Sequence, residues 1–125
     1  MVRVGAASPV CATADRLVLT QALVNLLDNA IKYSPEESEI VVDVWMADHA
    51  YIDVKDQGPG IPDEHRTRIF DRFYRVDDAR TRRGGGTGLG LSIAEWAVQA
   101  NGGRLALRDT GPAGSTFRIT LPLRT

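Results

Sequence analysis

Residues Ala14 to Tyr33 sustain helical periodicity without a break. A helix that long with a broad apolar arc needs a second layer of structure to cover it. Leu19, Ala22, Leu23, Leu26, Leu27, Ala30 and Ile31 supply the arc. Gln21, Asn25, Asp28, Asn29 and Lys32 gather instead on one stripe roughly 100° wide. A solvated face is usually built from Glu, Lys and Arg, which favour helix, whereas Asn and Asp weaken it. The stripe therefore reads either as an ordinary amphipathic surface or as short amides turned toward a ligand. Thr13 or Asp15 can cap the start, and Ser34-Pro35 stops the helix, because proline disfavours helix at the residue before it.

The rest of the chain alternates between hairpin and helix signals. Residues 1–9 read as a flexible lead-in, and Val10-Cys11-Ala12 as a short strand. Ile40 to Met46 and Tyr51 to Asp56 form a hairpin across an Asp48-His49 turn. Gln57-Gly58-Pro59-Gly60-Ile61-Pro62 cannot continue a strand. Pro62-Asp63-Glu64-His65 starts a helix that leads into Ile69 to Arg75. Asp77 to Arg83 is polar without apolar period, and Gly84 to Gly88 is expected to be mobile. Leu89 to Ala100 is a second long helix, closed by Asn101-Gly102-Gly103. Arg104 to Asp109 and Thr116 to Leu121 form a second hairpin around Thr110 to Gly114. Hairpins imply an antiparallel or mixed sheet covered by helices on one side, a two-layer α/β sandwich. No repeat and no second domain is visible, so residues 10–125 form one domain. Residues 57–88 are long for an unstructured connection, which marks a functional loop.

A chain of 125 residues suits one domain with its own core. A formal net charge of −1 gives no field that would favour nucleic acid. The single cysteine, Cys11, excludes an internal disulfide and a multi-cysteine zinc cage. It reads as a small buried side chain in a reducing compartment. No stretch of the chain has the length and apolarity of a membrane span or signal peptide, so this fragment is expected to make no membrane contact.

Chemistry concentrates at three glycine-bearing places. Gly86-Thr87-Gly88-Leu89-Gly90-Leu91-Ser92 fits G-x-G-x-x-G in no register and lacks the Lys-Ser or Lys-Thr of a Walker loop. It still runs glycines into a helix N-terminus, where free N–H groups and the helix dipole favour an anion such as phosphate. The bland alternative is a flexible linker. Asp56-Gln57-Gly58-Pro59-Gly60 puts a carboxylate at a strand end, able either to accept from an amino group or simply to open a turn. Arg66, Arg68, Arg72, Arg75, Arg80, Arg82 and Arg83 could close over polyphosphate, or form a solvated surface balanced by neighbouring acids. Phe70, Phe73 and Tyr74 are spaced to anchor this segment to the body. His49 and His65 have no nucleophile or metal partner at a useful spacing and read as surface residues.

In combination these stretches resemble the catalytic ATP-binding domain of sensor histidine kinases. That domain shares a superfamily with type II topoisomerases, mismatch-repair ATPases and the large heat-shock chaperones. Asn25 to Tyr33 looks like the N box, Asp56 to Gly60 the first G box, Phe70 to Arg75 the F box and Gly86 to Leu91 the second G box. The resemblance implies a Bergerat fold: helices on one face of a mixed, largely antiparallel sheet, with a mobile ATP lid over about 57–88. It implies ATP and Mg²⁺ as ligands. Asn29 would bind the metal through its side-chain oxygen, and Asn25 the metal or a phosphate. Lys32 would meet phosphate charge, and with Asn25 would be the catalytic pair. Tyr33 would pack near the base. Asp56 would accept the adenine amine, supported through water by Thr116. Gly58, Gly60 and Ile61 would shape the adenine pocket. Arg75, Gly86, Thr87, Gly88, Leu89, Gly90 and Leu91 would serve the lid and the phosphates.

In the water-splitting relatives the position four before the metal-binding Asn is Glu. Here it is Asn25, and an amide cannot act as a general base. The resemblance thus implies ATP held for transfer to a histidine on a separate dimerisation domain of the same full-length protein, with a response regulator downstream. His49-Ala50 and His65-Arg66 do not match the phosphoacceptor motif, in which an acidic residue follows the histidine. The fragment would be monomeric and cytoplasmic, its parent anchored in a bacterial inner membrane. The rival readings are a regulatory nucleotide module without transfer, an anti-sigma serine kinase, and an interaction domain that binds no nucleotide.

Overall fold

The computed structural model describes residues 2–6, 14–74 and 90–123. Helix α1 (Arg16–Tyr33) starts at Asp15, whose Oδ1 accepts from the Val18 N–H at 3.0 Å. Asp15 is therefore a cap; Thr13, like the expected strand at Val10-Cys11-Ala12, lies outside the described residues. At the other end the Ser34 N–H reaches the Ala30 carbonyl at 3.0 Å, and the chain leaves in extended conformation toward Pro35.

Five strands form one sheet in the order β1-β2-β3-β5-β4. They are β1 (Val2–Ala6), β2 (Ile40–Met46), β3 (Ala50–Lys55), β4 (Arg104–Gly111) and β5 (Gly114–Leu121). Both expected hairpins are present as antiparallel pairs, and β3 joins them by pairing antiparallel with β5. The expected lead-in over residues 1–9 needs correction, because Val2–Ala6 pairs parallel with β2, with Val2 opposite Ile40. Parallel pairing needs a long crossover, here one that contains α1. Such pairing leaves no turn signal beside the strand.

Helix α2 (Asp63–Arg66) is a single turn, shorter than the apolar spacing through Tyr74 suggests, and turns carry the chain on from it. Helix α3 (Gly90–Ala100) ends as expected at Asn101-Gly102-Gly103, where the Gly103 N–H reaches the Val98 carbonyl at 3.0 Å. The Asp15 N–H donates to Asn101 Oδ1, while Asn101 Nδ2 donates to the Ala97 carbonyl at 3.0 Å. One amide thus fastens the start of α1 to the end of α3.

The core lies between helices and sheet. Leu26, Val98, Val54, Ile119 and Leu121 are the largest fully buried side chains. Ala22, Ala30, Ala94 and Ala97 are buried in the helical layer, where small side chains let α1 and α3 approach closely. Of the apolar arc of α1, Ile31 stays exposed, as do Leu17 and Val24 outside it. Strand β5 buries Ser115, Phe117, Ile119 and Leu121 and leaves the alternate residues half-buried, so those four face the helices. The opposite face carries a polar and aromatic cluster. Arg118 grips Asp53 through two hydrogen bonds of 2.8 and 3.0 Å and lies over Trp45, which stacks on Tyr51 at 5.2 Å.

Candidate nucleotide site

The polar stripe of α1 survives in three dimensions. Asn25 and Asn29, one turn apart, are both half-buried, as is Lys32. Asn25 Oδ1 accepts from Gln21 Nε2 at 3.2 Å. Its Nδ2 is buried without a hydrogen-bond partner among the described residues. A buried donor in that condition costs free energy and fits an anionic oxygen. Lys32 Nζ pairs with Asp28 Oδ2 at 3.2 Å. Asp28 is solvent-exposed, so the pair is weak, about 0.5 kcal/mol at most, and readily exchanged for phosphate.

The end of α1 is tied to the loop after β3. Ser34 is buried, and its Oγ accepts from the Gln57 N–H at 3.3 Å. A Cβ on Gly58 would stand 2.7 Å from the Tyr33 carbonyl oxygen, so the loop passes directly under the helix terminus. Gly60 has φ +85°, and a Cβ there would lie 2.3 Å from the Gly111 oxygen; only glycine fits. Tyr33, Asp56 and Gly58 therefore lie side by side, and Gly60 packs against the β4–β5 hairpin.

Asp56 is held firmly. Its Oδ1 accepts from the Gly58 N–H at 2.9 Å and the Ser115 N–H at 3.1 Å, and its own N–H donates to the Ser115 carbonyl at 2.9 Å. Oδ2 has no protein partner among the described residues, leaving one oxygen to receive an amino group. Burial pushes the carboxyl above its ordinary range, and the two N–H groups pull against that shift.

The neighbour of Asp56 on β5 is Ser115, and the assignment of Thr116 is corrected accordingly. Thr116 pairs with Lys55 and alternates with the inward-facing Ser115 and Phe117, so its side chain lies on the opposite face. The signal was available: Thr116-Phe117-Arg118-Ile119 alternates, and placing Phe117 and Ile119 inward puts Ser115 inward too. Ser34 was visible in sequence only as a helix stop.

Ile61 is half-buried against the core, and its N–H donates to Thr110 Oγ1 at 2.8 Å. Gly90 opens α3 with nothing within 4 Å of the place of its missing Cβ, and Leu91 packs on the core. Arg75, Gly86, Thr87, Gly88 and Leu89 lie outside the described residues, as do Arg80, Arg82 and Arg83. Of the expected aromatic anchors, Phe70 meets Phe117 edge-on at 6.1 Å and Tyr74 bonds His65, but Phe73 is 63% exposed with φ +67°. His65 is thus half-buried rather than on the surface, while His49 is exposed beside Asp48 at 3.2 Å.

The family described as histidine kinase-, DNA gyrase B- and HSP90-like ATPase matches residues 14–125. The chain belongs to this ATPase family. Several sensor kinases are similar to it. It is 46% identical over 113 residues to the sensor histidine kinase WalK of Bacillus subtilis (strain 168), covering 88% of this chain and 18% of that protein. It is 45% identical over 109 residues to the sensor histidine kinase CusS of Escherichia coli (strain K12), covering 86% and 22%. The chain therefore spans about a fifth of these relatives. The structure superposes on the mycobacterial sensor histidine kinase MprB with a TM-score of 0.81 at 38% identity, over 98% of this chain and 82% of that one. It superposes on full-length ShkA in complex with AMPPNP with a TM-score of 0.83 at 28% identity, over 99% and 26%. The fold is that of a histidine-kinase catalytic domain within the ATPase family.

Among the described residues no group of three or more His, Cys, Asp or Glu is arranged to hold a metal ion. Mg²⁺ needs no such cage, since it keeps waters and phosphate oxygens and takes one or two protein oxygens. The amides of Asn25 and Asn29 fit that requirement. Glu95 on α3 lines a groove with Phe70, Asp71 and Trp96. Burial and then the nearby Asp71 push its carboxyl up.

Proposed function

We propose that this chain binds Mg-ATP and donates the γ-phosphoryl group to a histidine on a separate dimerisation domain of its full-length protein, for relay to a response regulator. The observation that carries this reading is Asn25. Its buried, unpartnered Nδ2 suits a phosphate oxygen, and its amide stands where a water-activating carboxylate would be needed for hydrolysis. Binding of AMPPNP by the similar ShkA supports an adenine nucleotide as ligand.

The roles divide by position. Asp56 Oδ2 receives the adenine amine. Tyr33, Gly58 and Gly60 shape the pocket around the base. Lys32 moves from Asp28 to phosphate. Asn29 would hold Mg²⁺ through its side-chain oxygen and Asn25 the metal or a phosphate, and the ion would offset phosphate charge. Catalysis then rests on positioning and electrostatic stabilisation. Arg75 and the Gly86–Leu91 motif, with Thr87 and Leu89 inside it, would complete the phosphate side. Neither His49 nor His65, the two histidines of the chain, is followed by the acidic residue of the phosphoacceptor motif, so the acceptor is expected on the separate domain.

Among the described residues no helix is long and apolar enough to cross a membrane. We place this fragment in the cytoplasm as a monomer and its parent at the inner membrane. The test supplies radiolabelled Mg-ATP to the chain, alone and mixed with the helical histidine domain of its parent. Acid-labile label on the added domain and none on the chain itself is the expected result. Tight Mg-ATP binding without transfer to that domain would leave a regulatory nucleotide module in its place.

A further inference from the structure

Strand β4 contains an irregularity beside the site. Leu107 pairs with Phe117, but Asp109 pairs with Thr116 and Thr110 with Ser115. One residue, Arg108, is extra on β4. Were Arg108 paired in regular register instead of bulged, the inward alternation of Leu105 and Leu107 would continue to Asp109, and Thr110 would point to the far face. The bulge reverses the phase, so Thr110 stands on the same face as Ser115. Bulges of this kind re-aim side chains next to functional sites.

The re-aimed hydroxyl closes a chain of hydrogen bonds around Asp56. Thr110 Oγ1 accepts from the Ile61 N–H at 2.8 Å and lies 2.8 Å from Ser115 Oγ. Ser115 in turn donates its N–H to Asp56 Oδ1 and accepts the Asp56 N–H. Gly60, immediately before Ile61, packs on the Gly111 carbonyl immediately after Thr110. Both ends of the Asp56–Ile61 loop are thereby clamped to the β4–β5 hairpin, one through Ser115 and one through Thr110. With Oδ1 occupied by two N–H groups, the aim of Oδ2 depends on where this clamp sets the loop.

We propose that Thr110 is a positioning residue for purine selection: the β4 bulge turns its hydroxyl onto Ile61 and Ser115, and that contact holds Asp56 in the orientation that distinguishes adenine from guanine. This rests on the reading of Asp56 as the adenine acceptor. Thr110 does not touch the base, and acts through the loop.

Calorimetric titration of the 125-residue chain with Mg-ATP and Mg-GTP tests it on Thr110→Val, Thr110→Ser and Asp56→Asn. Valine keeps the shape and removes the acceptor, so the ratio of GTP to ATP dissociation constants is expected to fall about fivefold. Serine keeps the hydroxyl and should restore the ratio to within about twofold of the parent. Thr110→Ala replaces the valine variant should circular dichroism find that one unfolded. A parental ratio in the hydroxyl-free variant, with only a lower melting temperature, overturns the proposal and leaves Thr110 a purely structural residue. A parental ratio in Asp56→Asn overturns the adenine-acceptor reading, and this inference with it. Loss of the ratio in Asp56→Asn but not in the Thr110 variants sinks this inference alone.

Discussion

Burial raises the Asp56 carboxyl above 3.8, even though Gly58 and Ser115 both donate to it. A carboxyl with a raised folded-state pKa contributes most to stability below its unfolded value, and that contribution is lost as pH climbs through the folded value. Ionising this side chain therefore costs the fold stability. Asp56→Asn should raise the melting temperature by about 3 °C at pH 7. Scanning calorimetry should find that gain shrinking in acid, as protonation removes the charge from the buried parent carboxyl. The same variant loses an acceptor, so its preference for ATP over GTP should drop about tenfold. A residue kept for packing would show neither the stability gain nor the selectivity loss. Asn29 gives a different signature. Asn29→Ala should weaken nucleotide binding about tenfold in Mg²⁺ and by less than about twofold in EDTA, because only a metal ligand is removed. Equal losses in both buffers would reassign Asn29 to the nucleotide itself.

On the outer face of the sheet, strands β2, β3 and β5 bring Trp45, Tyr51, Asp53 and Arg118 together across adjacent registers. The Asp53 side chain is 5% exposed, and Arg118 is its bidentate partner. Removing one member of such a pair strands the other charge, which is far more costly than losing a surface ion pair. Arg118→Met should lower the unfolding free energy by about 3 kcal/mol in urea titrations. Mg-ATP affinity should stay within about twofold, since α1 and Asp56 belong to the other face. An effect on affinity larger than on stability would contradict that separation of faces. Strand phase matters equally at the site. Ser115 rather than Thr116 adjoins Asp56, and one extra residue in β4 decides which way Thr110 points.

Across the whole molecule, one helical layer both closes the core and carries the amides. Leu26 is 1% exposed and lies next to Asn25. Leu26→Ala should cost about 3 kcal/mol and leave a single cooperative transition. It should also weaken nucleotide binding, because Asn25 and Asn29 ride on the same helix. A normal affinity in a destabilised Leu26→Ala would show the stripe to be held independently of the core. The amide of Asn101, shared by α1 and α3, and Ser34, which joins α1 to Gln57, make the site a property of the assembled layers.

The run of residues from Ala14 to Tyr33, the amide stripe on it, both hairpins and the glycine closure after Ala100 were all legible in the chain itself. Each depends on contacts within a few residues: a helical period, a two-residue alternation, a cap or a turn. Asp56, Gly58 and Gly60 were legible as a group for the same reason. What required the tertiary structure was every decision that two distant segments make together. The parallel pairing of Val2–Ala6 with β2, the choice of Ser115 over Thr116 and the aim of Thr110 are all of that kind. A strand's two faces alternate identically in either phase, and only the partner strand, with its register and its bulge, decides which face meets the site.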